Sequence, residues 1–401
     1  MIPPSINPRL DRLRDYPFAR LARLLEGTAP RSNLEPILMS VGEPQHPPPP
    51  IIEATLRANA HLWGKYPPVL GTPEFRAAVI RWIGRRYGPA AAALIDPQEG
   101  VVPVSGTREA LFQAALLTVP ERKAGAVPAV LMPNPFYAAY EGAAVMAGAE
   151  PVFLACGAET GFLPDLDALP PALLERTALF YLCSPSNPQG AAADRAYLRR
   201  AIDLARRYGF VLAMDECYAE IWDRAPPPGV LEVAADGGGG LDGLLVFHSL
   251  SKRSSAAGLR SGFVAGPPEL MRLYARLRSY GMAGAPLPVL AASAALWDDD
   301  AHVEENRVRY RAKFDAAEAA LGGRFGFRRP DGGFFLWLDV GDGEDAALRL
   351  WRDAAVRVLP GGYLTRPAPD GSNAGSRYIR MALVHDAEIV AEACARAARV
   401  L

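Results

Sequence analysis

Lys252 stands among hydroxyls in Phe247-His248-Ser249-Leu250-Ser251-Lys252-Arg253-Ser254, and Gly258-Leu259-Arg260-Ser261-Gly262-Phe263 follows shortly after. A primary amine held partly out of water loses some preference for its charged form and becomes a nucleophile toward a carbonyl. Ser249, Ser251 and Arg260 are residue types that hold a phosphate beside such an amine. Read alone, the same residues describe a solvated loop, so their meaning rests on what positions them. Directly upstream, Leu244-Leu245-Val246-Phe247 is an apolar run preceded by Gly243, the pattern of a buried strand that ends near Ser249. In parallel α/β sheets, ligands bind at that end of the strands.

Other strand ends carry further chemistry. The apolar run 101–104 leads into Ser105-Gly106-Thr107-Arg108-Glu109-Ala110-Leu111, which opens a helix. Helix starts collect unpaired N–H donors that suit a phosphate, and an ordinary cap by Ser105 or Thr107 fits equally well. The run 129–132 leads into Pro133-Asn134-Pro135-Phe136-Tyr137, where Tyr137 could stack on a planar ring or belong to the core. Strands at 151–154 and 178–183 follow, the second running into the turn Ser184-Pro185-Ser186-Asn187-Pro188-Gln189-Gly190. After an amphipathic helix at 194–207, the strand 210–214 delivers Asp215-Glu216-Cys217-Tyr218. Strands alternating with helices in this way predict an α/β domain with a doubly wound, mainly parallel sheet.

The flanks differ in texture. Residues 1–45 form an arm rich in proline and arginine, with a short helix at 18–25, ending in Ser40-Val41-Gly42-Glu43-Pro44. Helices at 51–60 and 75–87 enclose an exposed loop at Tyr66-Pro67-Pro68. Beyond Gly281 the pattern is one long helical stretch at 288–321, strands at 333–338, 357–360 and 377–383, and a closing helix at 386–400, which predicts a smaller α+β domain. The expected division is an arm at 1–45, a large domain at 46–285 and a small domain at 286–401. The 43 Lys plus Arg against 44 Asp plus Glu give no reason to expect nucleic acid or an anionic membrane as partner. Cys156, Cys183, Cys217 and Cys394 are scattered with no C-x-x-C pair, so neither a disulfide framework nor a metal site is expected. Without a secretory signal or a run of about 18 apolar residues, a soluble, cytoplasmic protein acting on small molecules is expected.

The ordered set Ser105-Gly106-Thr107, Asn187-Pro188, Asp215-x-x-Tyr218 and Ser249-x-x-Lys252 with Arg260 resembles the class I and II aminotransferases of fold type I, enzymes that use pyridoxal 5′-phosphate. The likeness runs from Val41-Gly42-Glu43-Pro44 to Arg380. It implies a large cofactor-binding domain with a mainly parallel seven-stranded sheet, a smaller α+β domain, and an arm packed with the latter. It also implies amino acid and 2-oxo acid substrates. Lys252 would be joined to the cofactor aldehyde and would shuttle a proton at the substrate α-carbon. Asp215 would face the pyridine nitrogen, Asn187 and Tyr218 the phenolic oxygen, and Tyr137 the ring face. Ser105, Gly106, Thr107, Ser249 and Arg260 would hold the phosphate, joined by Tyr66 from a partner subunit, which makes a homodimer with a shared active site. Arg380 would clamp the substrate α-carboxylate, with Gly42 and Asn187 beside it. Gln189 stands where the family has threonine, and Ala257 where close relatives have proline; the first bears on the turn that presents Asn187.

A finer resemblance is to the bacterial N-succinyldiaminopimelate aminotransferases, carried by Asn7-Pro8-Arg9-Leu10, Tyr16-Pro17-Phe18, Gly42-Glu43-Pro44, Ser105-Gly106-Thr107-Arg108-Glu109-Ala110-Leu111-Phe112, Pro133-Asn134-Pro135-Phe136-Tyr137 and Ser249-Leu250-Ser251-Lys252-Arg253-Ser254. It implies amino transfer from glutamate to N-succinyl-2-amino-6-oxoheptanedioate in lysine and diaminopimelate synthesis. The distal carboxylates of such a substrate need a second cationic site, for which Arg31, Lys65, Arg253 and Arg278 are candidates. Rival readings are an aspartate, alanine or aromatic aminotransferase, a β-lyase of the same fold, and a non-catalytic regulatory protein.

Overall fold

The computed structural model describes residues 6–31, 34–281 and 284–401; residues 1–5 and 32–33 of the expected arm, and 282–283, lie outside the described residues. Twelve strands are described: β1 (Ile37–Leu38), β2 (Val101–Val104), β3 (Ala129–Asn134), β4 (Glu150–Ala155), β5 (Thr177–Cys183), β6 (Val211–Asp215), β7 (Leu244–Ser249), β8 (Gly262–Ala265), β9 (Phe335–Asp339), β10 (Val356–Arg357), β11 (Leu359–Pro360) and β12 (Tyr378–Ala382). The large sheet has seven strands in the order β2-β8-β7-β6-β5-β3-β4. β8 runs antiparallel to both its neighbours, and the β3–β4, β3–β5, β5–β6 and β6–β7 pairs are parallel.

The central strands are apolar up to their carboxyl ends because helices cover both faces. Along β7, Leu244 and Val246 enter one hydrophobic cluster while Leu245 and Phe247 enter the other, as the period of two in a strand requires. In β6, Leu212 and Met214 face the first cluster and Ala213 the second. The same alternation turns Asp215 to the side of Ala213 and places it beside Tyr140, from the helix Ala138–Ala147. Sequence periodicity does not pick out β8. It is four residues long, and its position is set by pairing Gly262 with Ser249.

The smaller unit is a three-stranded antiparallel sheet, β11-β12-β9, covered by the helices Gly343–Ala354 and Ala387–Val400 and the long helix Ala301–Leu321. The arm is bound to it: β1 pairs in parallel with β10, and Ile37 and Met39 enter its core. Leu21 and Leu25 pack with Trp337, Leu359 and Tyr363.

The single helix expected at 288–321 is two helices, Leu287–Asp298 and Ala301–Leu321. Asp299 takes an extended conformation, and its carboxylate accepts hydrogen bonds from the Ala301 N–H at 2.9 Å, so the acidic run Asp298-Asp299-Asp300 ends one helix and starts the next. Leu290, Leu296 and Trp297 of the first helix lie in the core of the large sheet. We therefore propose that the small domain begins after this helix, not at 286.

Candidate active site

The carboxyl ends of β3, β5, β6 and β7 open onto a cavity of about 470 Å³ whose walls include Gly42, Thr107, Tyr137, Asn187, Asp215, Tyr218, Ser249, Lys252, Arg260 and Arg380. Of the expected site residues, ten thus converge. Ser105 and Gly106 lie just behind the wall, and Tyr66 is fully exposed and off this cavity.

Lys252 sits on the one-turn helix Leu250–Arg253 that follows β7. Its Nζ donates to the Gly42 carbonyl at 2.5 Å and stands 5.3 Å from the Phe334 ring centre. Burial against these groups lowers its pKa to about 8, with Cys217 opposing and Arg380 assisting. A substantial fraction of the amine is therefore neutral at mildly alkaline pH. Asp215 is buried; its Oδ2 accepts from the Tyr140 hydroxyl at 2.7 Å and its Oδ1 from the Cys217 N–H at 3.3 Å. Burial raises the pKa of this carboxyl, while the hydrogen bonds from Cys217 and Tyr140 pull it back. An anion so placed is stabilised by any cation brought against it.

Arg380 reaches the cavity from β12, buried over the Phe335 ring at 4.4 Å. It donates to Asn187 Oδ1 at 3.1 Å and to the Ser40 carbonyl at 2.8 Å, and its Nε is buried without a partner. Burial lowers its pKa to about 10, which leaves it charged at neutral pH. The turn that presents Asn187 and contains Gln189 is closed by the Gly190 N–H donating to the Ser186 carbonyl at 2.8 Å.

Arg260 approaches from the opposite wall and donates to the Ser105 carbonyl and the Ala257 carbonyl, each at 3.0 Å. Ala257 thus holds this arginine through its backbone, where a proline would serve as well. Gly106 has φ of +96°, and a Cβ there would stand 2.1 Å from Arg260 Nη2, so only glycine leaves the guanidinium beside the helix start at Thr107. Thr107 Oγ1 lies 3.0 Å from Cys217 Sγ, and Ser249 Oγ caps the Lys252 helix by accepting from the Ser251 N–H at 3.1 Å.

The aminotransferase class I and II family profile matches residues 35–396. The chain belongs to the class I and II aminotransferases. This aminotransferase is 35% identical to the 4-dedimethylamino-4-oxo-anhydrotetracycline transaminase of Streptomyces rimosus, over 89% of the chain and 92% of that protein. It is 33% identical to the LL-diaminopimelate aminotransferase of Desulforudis audaxviator, over 97% of the chain and 96% of that protein. Among solved structures, an aminotransferase from Neisseria meningitidis is 40% identical and superposes with a TM-score of 0.92, covering 98% of this chain and 99% of that one.

The family is pyridoxal 5′-phosphate dependent, and the cavity fits that group. Its basic wall residues are Arg108, Lys252, Arg260 and Arg380, set against the carboxylates of Glu43 and Asp215. None of the four cations is ion-paired among the described residues; their partners are carbonyls, an amide and a phenol. Such a cavity takes anions. A phosphate suits Arg260 and the helix start, and a protonated ring nitrogen suits Asp215.

The four cations expected to read distal carboxylates do not line the cavity. Arg253 is buried, donating to the Leu296 carbonyl at 2.6 Å and pairing with Asp300 at 2.8 Å. Arg278 is buried against Glu109 at 3.0 Å. Arg31 pairs with Asp353 at 3.6 Å on the surface, and Lys65 is exposed elsewhere. Charge type was legible in the sequence; prior neutralisation was not. Conversely, sequence reasoning gave no role to Tyr140 or Arg108. Tyr140 lies three residues after Tyr137, a spacing that brings both to one helical face and could have flagged it.

Proposed function

We propose that this aminotransferase moves an amino group between glutamate and a diaminopimelate-type acceptor, N-succinyl-2-amino-6-oxoheptanedioate. The observation that carries the reading is one cavity holding the Lys252 amine, the buried Asp215 carboxylate and the Arg380 guanidinium, which has no carboxylate partner among the described residues. When bound, pyridoxal 5′-phosphate supplies a carbonyl for the amino group and a ring that withdraws electrons. Asp215 would keep a proton on the ring nitrogen, held in place by Tyr140. Arg260, Thr107, Gly106, Ser105 and Ser249 would bind the phosphate, and Tyr137 would cover the ring. Asn187 spends its carbonyl on Arg380, which leaves its amide N–H groups free among the described residues to donate, with the Tyr218 hydroxyl, to the phenolic oxygen. Lys252 Nζ would take the proton from the α-carbon of the amino donor and, in the opposite half-reaction, would give a proton to the α-carbon of the acceptor. Arg380, with Gly42 at its side, orients the α-carboxylate, and because it comes from the small domain, closure of that domain excludes water.

LL-Diaminopimelate is the second reading, favoured by relatives of that name. Holoenzyme given glutamate alone should release one 2-oxoglutarate per active site, and a panel of acceptors should then rank the succinylated substrate first. Ranking LL-diaminopimelate first would move the assignment to the second reading, and release of pyruvate and ammonia from amino acids with a β-leaving group would replace it with a lyase. Tyr66, fully exposed here, reaches the phosphate of a second subunit in this reading, so the working unit is a homodimer.

A further inference from the structure

The start of the helix Ala138–Ala147 carries two groups of the site and one charge that the site does not use. Tyr137 stands just before the helix on the cavity wall, Tyr140 reaches Asp215, and the next residue, Glu141, is buried away from the cavity. Both Glu141 oxygens are taken by the buried Arg366, whose Nε donates to Oε1 at 2.8 Å and whose Nη2 donates to Oε2. Arg366 belongs to the smaller unit, in the segment that follows β11. Backbone bonds join the same segment to the large sheet. Asn134, the last residue of β3, accepts from the Arg366 N–H at 3.0 Å and donates its amide to the Arg366 carbonyl at 2.9 Å. The Phe136 N–H donates to the Leu364 carbonyl at 3.0 Å, and the guanidinium stands 4.9 Å from the Phe136 ring centre.

A buried ion pair is a costly way to hold two elements together, since apolar side chains of similar size do it as well. What the charged pair adds is geometry: a planar fork on a planar carboxylate admits one orientation. Glu141 follows Tyr140 by one residue, so fixing it fixes how far the helix start is turned about its axis. The aim of Tyr140 at Asp215 and the place of Tyr137 on the wall are set with it. Leu359 and Leu364, a few residues before Arg366, line the same cavity, so the segment that grips Glu141 also forms part of the wall.

We propose that Glu141 and Arg366 are a positioning pair: by clamping the smaller unit to this helix start, they set the two tyrosines for the cofactor ring, so that grip on the ring depends on how the smaller unit is docked. The inference rests on the reading above that Tyr137 covers the ring and Tyr140 holds Asp215 at its nitrogen. Neither Glu141 nor Arg366 lines the cavity; they act through the tyrosines. The phosphate end, at Arg260 and Thr107, shares no hydrogen bond with the pair among the described residues.

The test compares the full wild-type chain with Arg366→Met, Arg366→Lys and Glu141→Gln, and takes Tyr137→Leu as a control on the reading itself. Three quantities are measured: the Kd for pyridoxal 5′-phosphate on reconstitution, the visible circular dichroism of the bound cofactor, which reports how its ring is held, and the affinity of the cofactor-free chain for inorganic phosphate. Arg366→Met and Glu141→Gln should raise the cofactor Kd by roughly 10- to 100-fold and diminish the dichroism, while phosphate affinity stays within about twofold. Arg366→Lys, which keeps the charge without the fork, should recover only part of the loss. Where Arg366→Met does not fold, Glu141→Gln and Arg366→Lys decide. A cofactor Kd within about twofold of the wild type and an unchanged dichroism in folded Glu141→Gln, or equal losses of phosphate and cofactor affinity, overturn the assignment. If Tyr137→Leu leaves both the cofactor Kd and the dichroism unchanged, the ring-cover reading falls instead.

Discussion

At the scale of single residues, the site works by withholding water from groups that prefer it. Lys252 is the clearest case: the only hydrogen bond of its amine among the described residues is to a carbonyl, and burial outweighs the neighbouring thiol that favours its charge. Because desolvation penalises the ammonium, the neutral amine gains as pH rises through about 8, whereas a surface lysine does so near ~10.4. In cofactor-free protein, acylation of Lys252 followed by peptide mass mapping should therefore rise with a midpoint near 8. A midpoint shared with the exposed Lys65 would contradict the burial argument. Asp215 faces the opposite problem, an anion held in a dry place with neutral donors only, and that same discomfort gives it its grip on a protonated ring.

Elements position these groups through connections that run against chain order. The helix Leu250–Arg253 is too short to hold itself, and Asn306, from the long helix Ala301–Leu321, fastens it from below. The Asn306 amide donates to the carbonyls of Lys252 at 3.2 Å and Arg253 at 3.3 Å, while its oxygen accepts from Ser255 at 3.3 Å and meets His46 Nδ1 at 3.0 Å. His46 lies four residues beyond Gly42, whose carbonyl holds the Lys252 amine, so one asparagine ties both ends of that contact. Replacing Asn306 by Ala leaves two buried carbonyls and a histidine without partners and should cost about 2–4 kcal/mol of stability. Urea unfolding would check this, and a loss under ~0.5 kcal/mol would show that the clip is slack. The strands that carry chemistry were readable beforehand because apolar runs bounded by turns leave little freedom. The two-residue strand β1, which pairs with β10, was not, since two residues carry no period, whereas β11 and β12 fall within the strands expected at 357–360 and 377–383.

For the whole molecule, the exposed aromatics are the telling feature. Tyr66 and Tyr280 are almost wholly exposed and Trp63 is more than half so, and in the homodimer proposed above Tyr66 would be covered by the second subunit. Sedimentation equilibrium at micromolar concentration should give a mass near twice 43.0 kDa. A particle of 43.0 kDa would remove the shared site from the account. By itself the sequence determined the alternation of strands and helices, the placing of Asp215, Ser249 and Lys252 at strand ends, and the family, because periodicity and ordered motifs are properties of the chain. Only the tertiary structure decided which charges remain free. Arg253, Arg278 and Arg108 look alike in the sequence, yet the first two are consumed by carboxylates and carbonyls brought from distant segments, and the third is left facing the cavity. Pairing depends on distances in space, and distances in space are what a linear order of residues does not contain.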